Sequence, residues 1–291
     1  MSYSLFCRIA KFNVVLQFVV CGFVAGTMVG ISTPILVAQD SGFQYPVDVT
    51  VAADHTVYVA DLNLPGIWKV VDGKAEVFFR AEKKFGTPLN RVRCIAVDGD
   101  GHVIAGDSST WEVYRFDAMG KPQPLTGGKI GKPMGLAVSA DGTIFVSDLE
   151  IHRVWSIKKD GAVKQLATVV APIGIALDGK GDVWGISRGK NQVRKVTADG
   201  KVEIMVKDRP FTFPHDLSFN QDQQLIVSDG YGKCLWRWSA GKDPEKWVSS
   251  PMFDNPIGLA FDDGKLYVAD SRAKQVFVVD NQGKVSSLIA K

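Results

Sequence analysis

The chain has few cysteines and no cluster of like charge. Of its four cysteines, Cys7 and Cys21 fall in a hydrophobic N-terminal segment, which leaves Cys94 and Cys234 as one pair at most. A disulfide-stapled miniprotein is therefore excluded, and we expect Cys94 and Cys234 to be unpaired, small core residues. The formal net charge is only +3 over 291 residues, and the sequence shows no basic cluster that would bind nucleic acid.

Amphipathic helices are also missing. Beyond the first forty residues, no window keeps apolar residues three and four apart over a dozen positions. Hydrophobic residues nevertheless make up 46% and charged residues 22% of the chain, which is ordinary globular composition. Glycine is abundant, with 29 residues, and short runs of Val, Ile, Phe, Trp and Tyr lie between glycine- and aspartate-rich turns. These features predict an all-β protein.

The N-terminal segment has the order of an export signal. Arg8 and Lys11 precede an uncharged run over residues 12–31, and small residues follow before Gln39. We predict a signal peptide over 1–38, cleaved after Ala38, and a short linker over 39–44. An uncleaved membrane anchor formed by residues 12–31 is the alternative. In both cases we expect the folded part to be exported, periplasmic or extracellular, and to contact a membrane only if this leader is retained.

The remainder repeats one motif six times. A proline opens each unit, at Pro46, Pro88, Pro133, Pro172, Pro214 and Pro256. An apolar stretch, a polar turn and a second apolar stretch follow. In five units the second stretch ends in aspartate (Asp61, Asp107, Asp148, Asp229 and Asp270), whereas the fourth has Ser187. We interpret these aspartates as structural acceptors of main-chain N–H groups, a role that Ser187 fills more weakly.

Two further stretches complete each unit, so each predicts four antiparallel strands. Six four-stranded units of about forty residues bury their faces best around a common axis. We therefore predict a six-bladed β-propeller over residues 45–291. The first unit starts with its inner strand and the last ends with its outer strand. Closure is thus expected without strand exchange, through apolar contact between the first and last blades.

Two segments carry a family resemblance. GLAVSADGTIFVSDLEIHRVWSI (135–157) and GLAFDDGKLYVADSRAKQVFVV (258–279) resemble the NHL repeat. The resemblance extends to the wider group of six-bladed propellers that includes gluconolactonase/regucalcin-like proteins. It implies the propeller fold, but that fold hosts both binding proteins and enzymes.

The gluconolactonase-like group would imply an axial divalent metal, held by residues just before the small residue of several first strands. The matching positions here are Val47, Arg93, Met134, Ile173, His215 and Ile257. Hard cations require several oxygen ligands, and this set supplies none. We expect no cofactor, and regard a divalent metal as possible only if Asp48 and Asp216, one position further on, turn inward. His55, His102 and His152 lie in turns and loops of different units and are not expected to converge.

The axial mouth is the candidate site. We predict ligand-binding roles for Arg93, His215, Met134, Asp216 and Asp48, and no catalytic residue. Arg93 and His215, from the second and fifth units, would face each other above an apolar collar. The first hypothesis is a monomeric, non-catalytic scaffold that binds a protein, a peptide or a small organic ligand. The second is a gluconolactonase-like, metal-dependent hydrolase of lactones or esters with an atypical site. A structural reading also stands, in which Arg93 and His215 satisfy only local carbonyls or the two aspartates.

Overall fold

The computed structural model describes residues 42–289, which form six four-stranded antiparallel sheets. Blade 1 contains β1 (Pro46–Val51), β2 (Val57–Asp61), β3 (Gly66–Val71) and β4 (Lys74–Arg80). Blade 2 contains β5 (Val92–Val97), β6 (Val103–Asp107), β7 (Glu112–Phe116) and β8 (Pro122–Pro124). Blade 3 contains β9 (Pro133–Val138), β10 (Ile144–Asp148), β11 (Arg153–Ile157) and β12 (Val163–Thr168).

Blade 4 contains β13 (Pro172–Leu177), β14 (Val183–Ser187), β15 (Val193–Val196) and β16 (Val202–Val206). Blade 5 contains β17 (Pro214–Phe219), β18 (Leu225–Asp229), β19 (Cys234–Trp238) and β20 (Glu245–Ser249). Blade 6 contains β21 (Pro256–Asp262), β22 (Lys265–Asp270), β23 (Gln275–Val279) and β24 (Val285–Ser287). The predicted leader over 1–38 lies outside the described residues.

The blades close into a ring without exchanging a strand. Within each sheet the strands follow chain order, and the first strand of every blade packs against the first strands of the two neighbouring blades. β1 packs against β21 in the same way, which joins blade 6 to blade 1. Shared apolar clusters seal the junctions; in one of them Val49 and Trp68 of blade 1 pack with Tyr267 of blade 6. The predicted six-bladed architecture is confirmed.

The propeller has two faces, which differ in the connecting loops that they carry. The loops that lead into a first strand and the loops that join second to third strands lie on one face, which we call the mouth face. The turns that join first to second and third to fourth strands lie on the opposite, far face. This assignment follows from the antiparallel pairing within each sheet. The chain enters the propeller on the mouth face, where Phe43 is buried against Trp68 with ring centroids 6.0 Å apart.

The five aspartates that end second strands, which we call the strand-end aspartates, are fully buried. Asp61 shows their role, because its carboxylate accepts hydrogen bonds from the main-chain N–H groups of Gln44, Tyr45, Asn63 and Leu64 at 2.7–3.1 Å. It also accepts one from Trp68 Nε1 at 3.1 Å. Each carboxylate therefore ties the loop that enters its blade to the loop that follows its own strand. The predicted structural role is confirmed.

In blade 4, different residues connect the loop that enters the blade to the loop that follows its second strand. Ser187 Oγ donates to the carbonyl of Val170 at 2.6 Å and accepts from Gly189 N–H at 3.1 Å. The buried amide of Gln192 then binds both the N–H and the carbonyl of Phe211, at 3.0 and 3.3 Å. Two neutral side chains thus share the task that one carboxylate performs in the other blades.

The remaining cysteines are both buried and free, as predicted. Cys94 packs against Gly106 in the apolar cluster between blades 2 and 3, and Cys234 begins β19.

Candidate functional site: the axial channel

A channel with a cavity volume of about 410 Å³ runs along the propeller axis, lined by the first strands of all six blades. The five residues predicted to bind a ligand all line it: Arg93, His215, Met134, Asp216 and Asp48. The structure therefore brings the predicted set together. It also adds residues that were not predicted, of which five are polar: Tyr45, Thr50, Arg188, Ser218 and Asn255.

Two arginines supply the positive charge of the mouth. Arg93 comes from β5 and donates from Nε to Ser108 Oγ at 3.2 Å. Arg188 follows β14 and places its guanidinium carbon 4.4 Å from the centre of the Phe213 ring. Within residues 42–289 neither guanidinium forms a salt bridge with a carboxylate, and Arg188 Nε is buried without a partner. Burial lowers the pKa of both groups, and the charge of Arg93 lowers that of Arg188 further.

His215 is neutral in this setting. Burial, followed by the nearby charge of Arg188, lowers its pKa to about 3. Arg188 Nη2 donates to His215 Nδ1 at 3.4 Å, an assignment that puts the ring proton on Nε2. The imidazole therefore offers no positive charge near neutral pH. The alternative in which Arg93 and His215 satisfy Asp48 and Asp216 is not what the structure shows, since their polar contacts are Ser108 and Arg188.

Asp48 and Asp216, which we call the channel aspartates, lie deeper in the channel and turn toward its lumen. Asp48 accepts from Val49 N–H at 2.9 Å and, across the blade boundary, from Ile95 N–H at 2.8 Å. Asp216 makes the equivalent bond from blade 5 to Leu259 N–H of blade 6, at 2.9 Å. Each carboxylate thus links its own first strand to that of the next blade.

Burial also raises the pKa of both channel aspartates. For Asp216 it does so to about 7. For Asp48 burial acts first and the negative charge of Asp216 adds to it. The main-chain N–H bonds act in the opposite direction but do not offset desolvation. The two carboxylates therefore sense each other within the channel and hold protons more tightly than free aspartates.

Two glycines make room for the channel aspartates. A Cβ atom on Gly174 of blade 4 would stand 2.4 Å from Asp216 Oδ1, and one on Gly258 of blade 6 would stand 2.5 Å from Asp48 Cα. The small residue of the first strand, visible in the sequence as GIAL and GLAF, thus has a specific cause here. Each glycine lets the aspartate of the next blade lie against its backbone.

The channel residues do not fit the axial divalent metal of the gluconolactonase-like group. At the ring position of that group the structure places Val47, Arg93, Met134, Ile173, His215 and Ile257, with one imidazole nitrogen and one cation among six side chains. Among residues 42–289, the carboxylates that line the channel are those of Asp48 and Asp216, and both already accept main-chain N–H bonds. A guanidinium at the mouth would also repel a divalent ion.

The other histidines are separated from the channel, as predicted, since none of them lines it. His55 contacts Asp262 at 2.8 Å on the far face, and His152 accepts from Ala171 N–H at 2.9 Å. His102 clusters with Asp98 and Asp100 on the far face. Arg115 pairs with both of those aspartates, and Lys159 lies 3.0 Å from Asp100. These two cations neutralise the carboxylates of the cluster.

Sequence reasoning missed Arg188, Asn255 and the aromatic pair beside them. Phe213 and Tyr231 stack with centroids 4.4 Å apart, next to His215. One signal was available for Arg188, because it follows Ser187 in the unit that departs from the aspartate pattern. Asn255 precedes the proline of the sixth unit, but its buried and unpartnered Oδ1 is visible only in the structure.

This geometry defines a closed six-bladed β-propeller with a cationic axial mouth. A family model for the NHL repeat matches residues 253–279, which is blade 6 from its entry loop to β23. No curated protein matches the chain in sequence.

Solved structures share the fold at low identity. A catalytically inactive variant of virginiamycin B lyase from Staphylococcus aureus, with quinupristin, is 17% identical with a TM-score of 0.66, over 85% of each chain. A gluconolactonase from Xanthomonas campestris is 16% identical with a TM-score of 0.69, over 86% of this chain and 88% of that one. A chain of a nidogen–laminin complex is 20% identical with a TM-score of 0.68, over 78% of this chain and 91% of that one. These likenesses show the fold alone.

Proposed function

We propose that this protein is an exported, monomeric, non-catalytic recognition module that binds an organic anion at the axial mouth. The anion is a small carboxylate or phosphate compound, or an acidic group of a protein or peptide. One observation carries the proposal: two partly buried guanidinium groups, Arg93 and Arg188, face the mouth without an acidic partner in the described part of the chain.

The energetics support an anion rather than a neutral ligand. Two like charges held in a desolvated mouth are unfavourable, and burial lowers the pKa of both groups. An oxyanion would relieve both costs, because arginine donates paired, charge-assisted hydrogen bonds to carboxylate and phosphate oxygens. The unpartnered Nε of Arg188 is a donor for such an oxyanion, whereas the unpartnered Oδ1 of Asn255 would accept only from a hydroxyl or N–H group elsewhere on the ligand.

The neutral state of His215 agrees with recognition. Its Nδ1 accepts from Arg188, so the ring holds a guanidinium in place instead of abstracting a proton from a substrate. Met134, Ile173 and Ile257 supply apolar walls below the charged groups. A mouth with few polar groups at fixed positions and apolar walls is typical of a small-ligand site.

Titration calorimetry tests this function, with inorganic phosphate and a panel of mono- and dicarboxylates as probes. We expect at least one probe to bind the purified protein, and Arg93→Gln or Arg188→Gln to weaken that probe by about tenfold to a hundredfold, the loss of a charge-assisted hydrogen bond. Arg153→Gln, at a half-buried arginine on β11 that does not line the channel, is the matched control and should bind as the unchanged protein does. Equal binding by all variants would contradict the proposal.

The hydrolase alternative has a separate readout. A panel of lactones and esters, assayed with and without added divalent metal, should show no turnover. Metal-stimulated turnover that disappears in His215→Gln and Asp216→Asn would overturn the non-catalytic proposal and favour the gluconolactonase-like reading. Solved structures with this fold include both enzymes and a protein complex, so the fold favours neither outcome.

A further inference from the structure

The two faces of the propeller carry opposite charge, although the net charge of the whole chain is small. The loops of the mouth face contain twelve lysines and arginines against four acidic residues. The turns of the far face contain fourteen acidic residues against seven lysines. The mouth-face loops are residues 62–65, 81–91, 108–111, 125–132, 149–152, 169–171, 188–192, 207–213, 230–233, 250–255 and 271–274.

Little of the positive charge is neutralised on its own face. Lys190 pairs with Asp208 at 3.3 Å, and Lys233 pairs with Asp254 at 2.6 Å, which engages two of the four acidic residues. Most other cations of the mouth face point to solvent without an ionic partner. The electrostatic field of the molecule is therefore that of a dipole along the propeller axis, with its positive end at the mouth.

The mouth face also exposes large apolar side chains. Phe85 is 82% exposed and Tyr231 is 55% exposed, and four others on this face are exposed as well: Trp111, Ile151, Val170 and Met252. They come from the loops of five different blades, so they surround the mouth instead of forming one patch. Cationic groups interspersed with exposed aromatic and aliphatic side chains are the composition of surfaces that lie on anionic bilayers.

The chain enters the propeller on the same face, since the described residues begin at Gly42. Residues 12–31, which lie outside the described residues, form an uncharged run in the sequence that is long enough to span a bilayer. Within residues 42–289 no helix is long and apolar enough to cross a membrane itself.

We infer that the mouth face is a docking surface for an anionic lipid bilayer, with the basic loops on the headgroups and Phe85 and the other exposed apolar side chains at the interface. The far face, which is acidic, points away from the same bilayer because it is repelled. This surface is distinct from the anion site, since Arg188 is the one cation of the twelve that also belongs to that site and Arg93 is not among them.

Hydrogen exchange of the full chain tests the inference, on vesicles of phosphatidylcholine alone and on vesicles in which a third of the lipid is phosphatidylglycerol. We expect the amides of the loops over 81–91 and 207–213 to exchange severalfold more slowly on the anionic vesicles only. The far-face turns over 117–121 and 239–244 should be unchanged. High salt should abolish the protection, because it screens exposed charges.

Charge reversal provides matched variants. Lys83→Glu, Lys129→Glu and Arg209→Glu together alter the mouth face, and Lys121→Glu, Lys180→Glu and Lys242→Glu together alter the far face by the same charge. Each basic residue near an anionic surface changes partitioning about fivefold. The mouth-face variant should therefore lower the anionic-to-neutral partition ratio by about a hundredfold, and the far-face variant should not lower it. If the N-terminal leader is retained, it adds equally to binding on both kinds of vesicle and does not change this ratio.

Three outcomes would overturn the inference. The first is equal exchange of both faces on both vesicles, and the second is an equal loss of partitioning in the two variants. The third is tight binding of a duplex oligonucleotide that only the mouth-face variant loses, with no loop protection on vesicles, since the face would then serve a nucleic acid. Loss of docking in the mouth-face variant with intact phosphate or carboxylate binding would separate this inference from the proposed function.

Discussion

The strand ends and the axial channel bury charge in opposite ways. At the strand ends, Asp61 and its counterparts are surrounded by main-chain and indole N–H groups that belong to the same or the adjoining loop. In the channel, Arg93 and Arg188 have no acidic partner, and the two channel aspartates repel each other. A closed hydrogen-bond set contributes to stability, whereas open, unbalanced charge costs stability and is typical of a binding site.

The largest effect that this contrast predicts is on Asp61. Asp61→Ala leaves five N–H groups without their acceptor, and we expect the free energy of unfolding to fall by about 3 kcal/mol or more. Urea unfolding followed by tryptophan fluorescence measures it. Ser187→Ala, at the same register in blade 4, should cost only about 1 kcal/mol, because Gln192 retains its own bonds.

Asp222→Ala, on an exposed far-face turn, is the control for the loss of an aspartate as such and should change stability by less than about 0.5 kcal/mol. If Asp61→Ala were as mild as this control, the strand-end aspartates would not hold the loops, and the contrast with the channel would fail.

The next prediction concerns Asp216 and the pH dependence of stability. Its folded pKa, about 7, lies above its ordinary value of 3.8, so the folded state binds a proton that the unfolded state has lost. The contribution of this group to the free energy of unfolding is therefore complete below pH 3.8 and decreases as the pH rises toward 7. Asp216→Asn removes the decline. We expect the variant to gain about 2 kcal/mol relative to the unchanged protein between pH 4 and pH 8; a shift of about three pKa units, at about 1.4 kcal/mol each, sets the upper bound at about 4 kcal/mol.

The difference between the two proteins is the quantity to measure, by urea unfolding at several pH values, because His215 contributes in the opposite direction in acid. Asp222→Asn serves as the matched control and should run parallel to the unchanged protein. A parallel profile for Asp216→Asn would mean that the channel carboxylate ionises as easily as an exposed one.

A smaller effect is expected at Arg188. Arg188→Gln removes a desolvated cation next to Arg93, so the melting temperature should stay the same or rise, by the equivalent of up to about 1 kcal/mol, while anion binding weakens. Arg153→Gln provides the comparison for loss of a half-buried arginine outside the channel. A marked drop in the melting temperature of Arg188→Gln would show that this arginine stabilises the fold. Arg188 would then be a structural residue, like the strand-end aspartates, and not a binding residue.

Repetition explains why the architecture was predictable and part of the site was not. Proline, small residue, turn and aspartate recur at fixed spacing, and each has a local cause, so six blades and the role of Asp61 follow from the sequence. The channel depends on which side of a first strand turns inward. The irregular pairing between Pro46 and Asp48 places both Val47 and Asp48 on the lumen, which strict alternation of strand side chains does not anticipate.

Arg188 and the charge separation of the two faces were hidden for related reasons. Arg188 lies in a connection whose face depends on closing the ring, and its partner His215 is 27 positions away. The composition reports only a net charge of +3, because the basic loops and the acidic turns alternate along the chain and cancel in the sum. Only the antiparallel topology sorts them onto opposite faces.

The smallest expected effect is at His215, because we predict that its imidazole does not titrate near neutral pH. Its folded pKa of about 3 is below its ordinary value of 6.5, so the folded ring stays neutral while the unfolded ring gains a proton as the pH falls below 6.5. Proton NMR of the histidine Cε1–H signals should show one resonance that is flat from pH 8 to pH 5. His55 is the internal comparison, because its exposed ring contacts Asp262, which raises its pKa. If the His215 resonance titrated as the His55 resonance does, His215 would not be desolvated by the channel, and the mouth would carry a third cation in mild acid. A neutral His215 therefore adds no pH dependence of its own to anion binding between pH 7 and pH 5, and any dependence in that range comes from the channel aspartates, whose pKa values burial raises.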